Sequence, residues 1–193
     1  MVHGPIWHCG RTRKLQDCHF AAEISMSAQA REVALFKRFT ELGIAIETYN
    51  HPQLHTVEES RMLRGSISGG HCKNLFLKDR KGQLWLIVTL EECKINLKHL
   101  HKRLECARLS FGNAELLFET LKVKPGAVTP FGLIHDIEKK VRVVLDAAML
   151  EESILNYHPL RNDSTCSISR EDLLKFIVSC GHEPLILDLN AGF

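Results

Sequence analysis

The chain has 193 residues, 45% of them apolar, and a formal net charge of +2. That suffices for one domain with its own core. It is too little charge for a tail-driven nucleic-acid binder, so any such binding has to come from a local patch. No apolar run is long enough to span a bilayer. His3, His8, Arg11, Arg13 and Lys14 interrupt what would be the apolar segment of a secretion signal. The seven cysteines are odd in number and scattered, which reads as reduced thiols in a cytoplasmic protein. Cys106, Cys166 and Cys180 lie beside apolar residues, as small core hydrophobes do. Cys93, His99, His101 and Cys106 are of metal-ligand type but lack C-x-x-C or H-x3-H spacing, and His8-Cys9 and Cys18-His19 form only loose pairs. No metal and no cofactor are therefore expected.

Residues 1–26 show no sustained apolar period. They read as a flexible leader or the product of an upstream start codon, the alternative being an ordered arm packed by Ile6 and Trp7. Ser27 is a helix N-cap, and Val33, Leu35, Phe36, Phe39 and Leu42 mark one face of a helix from Ala28 to Leu42. Gly43 is its expected stop. Ile44 to Tyr49 alternates as a strand, and Asn50-His51-Pro52 turns the chain. Thr56-Val57-Glu58-Glu59 is a capping box before a short helix through Leu63. Asp79-Arg80-Lys81-Gly82 is a tight turn between strands Cys72–Lys78 and Leu84–Thr89. Trp85 to Val88 is apolar throughout, so that strand should be buried on both faces.

Asn96 to Leu104 reads as a short basic helix carrying Lys98, Lys102 and Arg103, which on its own is a solvated face. Asn113 caps a helix through Leu121. Two prolines around Gly126 stiffen the loop Lys124–Pro130 into a shaped wall. Strands are expected at Phe131–Ile134 and Val141–Leu145, and a helical turn at Ala147–Glu151. Leu155 to Asp163 is polar and fixed by Pro159. Ser169 opens the last helix, Gly181 ends it, and Pro184–Leu189 forms a final strand. Short helices alternating with hairpin-linked strands predict a single α/β domain with a mixed, largely antiparallel central sheet flanked by helices.

No nucleophile elbow, P-loop or dinucleotide fingerprint is present. Three segments stand out. The first is Gly65-Ser66-Ile67-Ser68-Gly69-Gly70-His71-Cys72-Lys73-Asn74, where five of the first six residues are Gly or Ser. Such a loop allows close backbone approach to a ligand, and it delivers a cation and an amide to the mouth of a buried strand. The second is Gly126-Ala127-Val128-Thr129-Pro130. The third is His158-Pro159-Leu160. Each sets a small or rigid backbone beside a polar group.

In this order and at these distances, the three segments resemble the YbaK and prolyl-tRNA-synthetase editing-domain superfamily. The resemblance is nearest to stand-alone deacylases of mischarged Ala-tRNA(Pro), ProX-like proteins. It extends over residues 27–190 and includes His51-Pro52, Thr56–Glu59, Gly69–Leu77, Leu109–Gly112, Val123–Phe131, Val144–Asp146 and His158–Asn162. It implies hydrolysis of the ester joining an amino acid to the terminal adenosine of a tRNA. Such an ester is already activated, so positioning a water and stabilising the oxyanion can suffice without a triad.

By this resemblance Lys73, Gly126 and His158 are the catalytic set. Lys73 would hold the phosphate or ribose end, Gly126 would offer backbone groups, and His158 would border the pocket. Asn74, Thr56, Leu63, Gly70, Thr129 and Pro130 would contact substrate. The implied partners are the acceptor end of tRNA(Pro) and prolyl-tRNA synthetase. A Cys-tRNA(Pro) or other small-residue deacylase, and a non-catalytic tRNA-binding module, remain open. His55, and His135 where relatives often carry Asn, depart from the pattern. Either would alter pocket polarity or face solvent.

Overall fold

A computed structural model describes residues 27–52 and 67–190. The leader expected at 1–26, the capping box and short helix at 56–63, and His55 lie outside the described residues.

The first helix, α1 (Ala28–Glu41), begins as its cap residue dictates: the Ser27 side chain accepts from the Ala30 amide. It ends with Gly43 at φ +63°, where Gly43 N donates to Thr40 O and Ile44 N to Phe39 O. These bonds hold Ile44 in the helix stop. Strand β1 therefore starts only at Glu47 and runs Glu47–Asn50, shorter than alternation alone predicts. β2 (Gly70–Asp79) and β3 (Leu84–Leu90) form the expected hairpin. In its turn the Asp79 carboxylate accepts from the amides of Lys81 and Gln83, and Gly82 takes φ +93°.

Next come α2 (Leu97–Arg103), β4 (Leu109–Phe111) and α3 (Ala114–Leu121), the last capped by Asn113. The strand expected at Phe131–Ile134 is instead a 3-10 helix, Pro130–His135. Thr129 caps it, Pro130 at its start has φ preset for a helical turn, and Gly132 lies so close to α3 that a Cβ would meet Leu121 at 3.0 Å. β5 (Val141–Asp146) and a 3-10 turn (Met149–Glu151) follow as expected.

The segment read as merely polar and proline-fixed begins inside a strand, β6 (Ile154–Tyr157). A further strand, β7 (Ser164–Ser169), is rich in Ser and Thr yet buried along most of its length. It gave no apolar signal because its hydroxyls are satisfied by neighbours: Ser167 donates to Asn156 Oδ1 at 2.6 Å and Ser164 to Tyr49 O at 3.2 Å. α4 (Arg170–Ser179), capped by Ser169, and β8 (Leu185–Leu187) complete the chain.

The strands form one eight-stranded mixed sheet in the order β1-β7-β6-β2-β3-β5-β8, with β4 also on β2. Four contacts are antiparallel and three, β2–β6, β3–β5 and β5–β8, are parallel. β3 is buried on both faces, as its unbroken apolar run requires. Leu84, Leu86 and Val88 enter one core with α1, α3 and α4, while Trp85 and Ile87 enter a second with Leu77, Leu100, Leu104 and Val144. The larger core centres on Phe131, whose ring lies 5.0 Å from Phe39, 5.5 Å from Phe176 and 5.7 Å from Tyr157, all edge-on. Such pairs add about 0.5–1.5 kcal/mol each beyond their buried area.

Candidate functional site

Strand β2 is the frame of the site. On the edge away from β3 it is shared by two strands: β6 pairs with Gly70 and His71, and β4 pairs with Leu77 to Asp79. Residues 72–76 have no strand partner on that edge among the described residues. Successive side chains of a strand point to opposite faces. Asn74 accordingly shares the face of Cys72 and Phe76, which join the larger core, whereas Lys73 shares the face of Leu75 and Leu77, which join the smaller one.

On the first face, Asn74 Nδ2 donates to Val128 O at 2.9 Å, tying the strand to the proline-braced loop. Among the described residues, its buried Oδ1 has no hydrogen-bond partner. A buried acceptor without a donor costs about 1–3 kcal/mol, which makes this oxygen a standing place for a ligand's N–H or O–H. Two residues before Val128, Gly126 adopts φ +88°, and a Cβ built there would sit 3.9 Å from Asn162 Nδ2. The loop thus meets the segment that follows β6.

That segment is firmly held. Arg161 is bonded to Glu32 at 2.9 Å, to Asn50 at 2.8 Å and to Asp163, anchoring it to α1 and β1. His158 Nδ1 bonds Ser164 O at 2.8 Å, and its ring centroid is 6.3 Å from that of His51. His51 in turn reaches Thr165 Oγ1 and the Pro52 carbonyl. Burial lowers the pKa of His158, outweighing its bond to Ser164, so the imidazole is kept neutral.

On the other face the Lys73 ammonium donates to Glu91 O at 2.8 Å and to Cys93 O. It closes the turn after β3. A lysine ammonium has three donors, so one remains for a ligand.

The structure therefore brings Asn74, Gly126 and His158 onto connected elements, with Lys73 one residue away on the opposite face of β2. Gly70 is buried against neighbouring strands: a Cβ there would meet Glu152 Cγ and Leu90 Cδ2 at 2.9 Å. Gly69, at φ +98°, would meet Ile154 O at 2.7 Å. These glycines are where β6 can close on β2. Thr129 is fully buried, its hydroxyl accepting from Phe131 N, and Pro130 is buried beside it. Both shape the loop from behind. Thr56 and Leu63 lie outside the described residues. Asn162 is not among the candidate site residues expected from sequence. Its signal was present in the His158–Asn162 stretch, but only tertiary contact shows it facing Gly126.

His135 is half-buried and does not border these residues. It lines a separate cavity of about 150 Å³ with Leu84, Leu116 and Thr120. Burial, with help from Arg31 and Lys122, pushes its pKa down to about 4. Among the described residues no group of three or more His, Cys, Asp or Glu side chains could hold a metal ion, and no helix is long and apolar enough to cross a membrane.

The family profile described as the aminoacyl-tRNA editing domain matches residues 51–176, which include Asn74, Gly126 and His158. The chain belongs to the aminoacyl-tRNA editing domain family. Its relatives include the prolyl-tRNA synthetase associated domain-containing protein 1 of Bos taurus, 38% identical over 170 residues, covering 86% of this chain and 99% of the relative. They also include the prolyl-tRNA editing protein ProX of Acetoanaerobium sticklandii, 35% identical over 150 residues, covering 77% and 92%. In fold, this editing domain is similar to the crystal structure of a candidate trans-editing enzyme for prolyl tRNA synthetase. The TM-score is 0.64 at 20% identity, over 87% of this chain and 100% of that one.

Proposed function

We propose that this editing domain acts in trans as a deacylase of mischarged aminoacyl-tRNA, with Ala-tRNA(Pro) as its substrate. The names of its relatives refer to prolyl-tRNA synthetase and to prolyl-tRNA editing, which supports tRNA(Pro) as the carrier. The observation that carries the reading is the Asn74 side chain, whose amide is bonded to Val128 in the loop that brings Gly126 beside Asn162, and whose buried oxygen has no partner among the described residues.

In the reaction a water adds to the ester carbonyl carbon. The tetrahedral intermediate collapses with cleavage of the acyl–oxygen bond, the ribose oxygen takes up a proton, and the free amino acid departs. Asn74 Oδ1 accepts from the amino group of the aminoacyl moiety or from the attacking water. Backbone groups at Gly126 and the Asn162 amide face the developing oxyanion. Lys73 uses its third donor on the ribose or phosphate of the terminal nucleotide. Neutral His158 walls the pocket. Proline is larger than alanine, so a narrow site can exclude the cognate residue by size. A synthetase site cannot as readily exclude the smaller one, because one methylene is worth only about 1–3 kcal/mol.

The test is release of alanine from Ala-tRNA(Pro) by the purified chain, beside Ser- and Cys-charged tRNA(Pro). Preference for one of the latter would move the substrate. Salt-sensitive binding of tRNA with no release from any of the three would leave a binding module.

A further inference from the structure

One charged feature is not used by the reading above. Residues 94–103 contain four Lys or Arg and no Asp or Glu, a net +4 in a chain whose total is +2, so the remaining residues sum to −2. The segment is a local basic stretch, flanked by Glu91 and Glu92 on one side and Glu105 on the other.

Its orientation is set by packing. α2 buries Leu100, and the following residue Leu104 joins it in the smaller core, with Leu97 packed alongside. Lys98 and Lys102 are exposed one helical turn apart, roughly 6 Å along the axis. Lys94, also exposed, lies in the turn leading into the helix. None of the three forms an ion pair among the described residues. A set of unpaired, exposed lysines repels itself, which a polyanion would relieve.

Its position is set by Lys73. The ammonium of Lys73 holds the carbonyls of Glu91 and Cys93, and Lys94 is the next residue. The lysine track thus starts directly after the carbonyls that Lys73 holds.

We propose that Lys94, Lys98 and Lys102 form a docking track for the phosphate backbone of the RNA arm whose aminoacylated end enters the site. The track supplies affinity through charge and carries no base readout. This rests on the deacylase reading, and the experiment separates the two.

The full chain carrying Lys94→Ala, Lys98→Ala and Lys102→Ala is compared with wild type for binding of uncharged tRNA(Pro) transcript across about 50 to 200 mM salt. Both are also assayed on Ala-tRNA(Pro) and on alanyl-adenosine, which has the ester but no RNA arm. The expected result is a loss of tRNA affinity of about tenfold or more, with the slope of log affinity against log salt flattened by roughly two. KM for Ala-tRNA(Pro) rises, hydrolysis of alanyl-adenosine is unchanged, and the triple Lys→Arg variant restores binding. Affinity and slope within twofold of wild type would overturn the track, as would a wild type that shows no salt-sensitive tRNA binding. If wild type hydrolyses neither ester, the deacylase reading falls, and the binding comparison still decides the track.

Discussion

Lys73 and Asn74 are neighbours in sequence, but they sit on the two faces of β2 and belong to differently built regions. The Asn74 face is assembled from distant pieces. The loop at 126–128, the segment at 158–163 and β1 meet there through side-chain-to-backbone bonds such as Asn74 to Val128 and His158 to Ser164. The Lys73 face is local: among the described residues its ammonium bonds the turn after β3, and the basic helix α2 follows directly. A pleated strand can thus present an amide to a buried site and a cation to a surface from one dipeptide, because adjacent side chains cannot share a face. The difference suggests a division of labour, with the ester on the assembled face and the RNA on the local one.

The largest effect should come from Lys73→Ala, which removes a ligand donor and frees two carbonyls. Alanine release from Ala-tRNA(Pro) should fall by about a thousandfold, at the upper end for loss of one charge-stabilising donor. A loss under tenfold would assign Lys73 to the turn alone. Asn74→Ala should lower kcat by about a hundredfold with a smaller change in KM. If instead KM alone rises, the ester does not react on this face.

Acid should act first where imidazoles are buried. His135 and His158 are both kept neutral by burial, His135 with a pKa near 4. Their folded-state values lie below the ordinary histidine value, so the stability they permit is complete above about pH 6.5 and is lost as pH falls toward 4. His135→Asn should recover about 2 kcal/mol at pH 4 and nothing at pH 8 in denaturant titrations. Equal curves at both values would contradict the assignment. The smallest effect belongs to Ser167→Ala, which leaves Asn156 Oδ1 without its donor in the sheet beside the site. Thermal unfolding should report a loss of about 1 kcal/mol, with alanine release little changed.

Local rules served well wherever a residue's role depends on its near neighbours. Ser27, Asn113 and Ser169 cap the helices that follow them, Gly43 ends α1, and the Asp79–Gly82 turn joins two strands whose apolar run is buried on both sides. The motif order also pointed to the family, since those spacings lie along the chain. Local rules failed at β7, where buried hydroxyls look like surface, and at Phe131, which reads as strand until Pro130 and the contact of Gly132 with α3 impose a 3-10 helix.

By itself, then, the sequence determined most of the elements, the mixed α/β class and the residues from which a site could be made. Only the tertiary structure decided which of them meet. It set Asn162 against Gly126, used Gly69 and Gly70 to close one strand on another, and gave the two faces of β2 different cores. The physical reason is range. Capping and turn geometry act within a few residues, while burial of a polar group is settled by partners that loop closure brings from a hundred residues away.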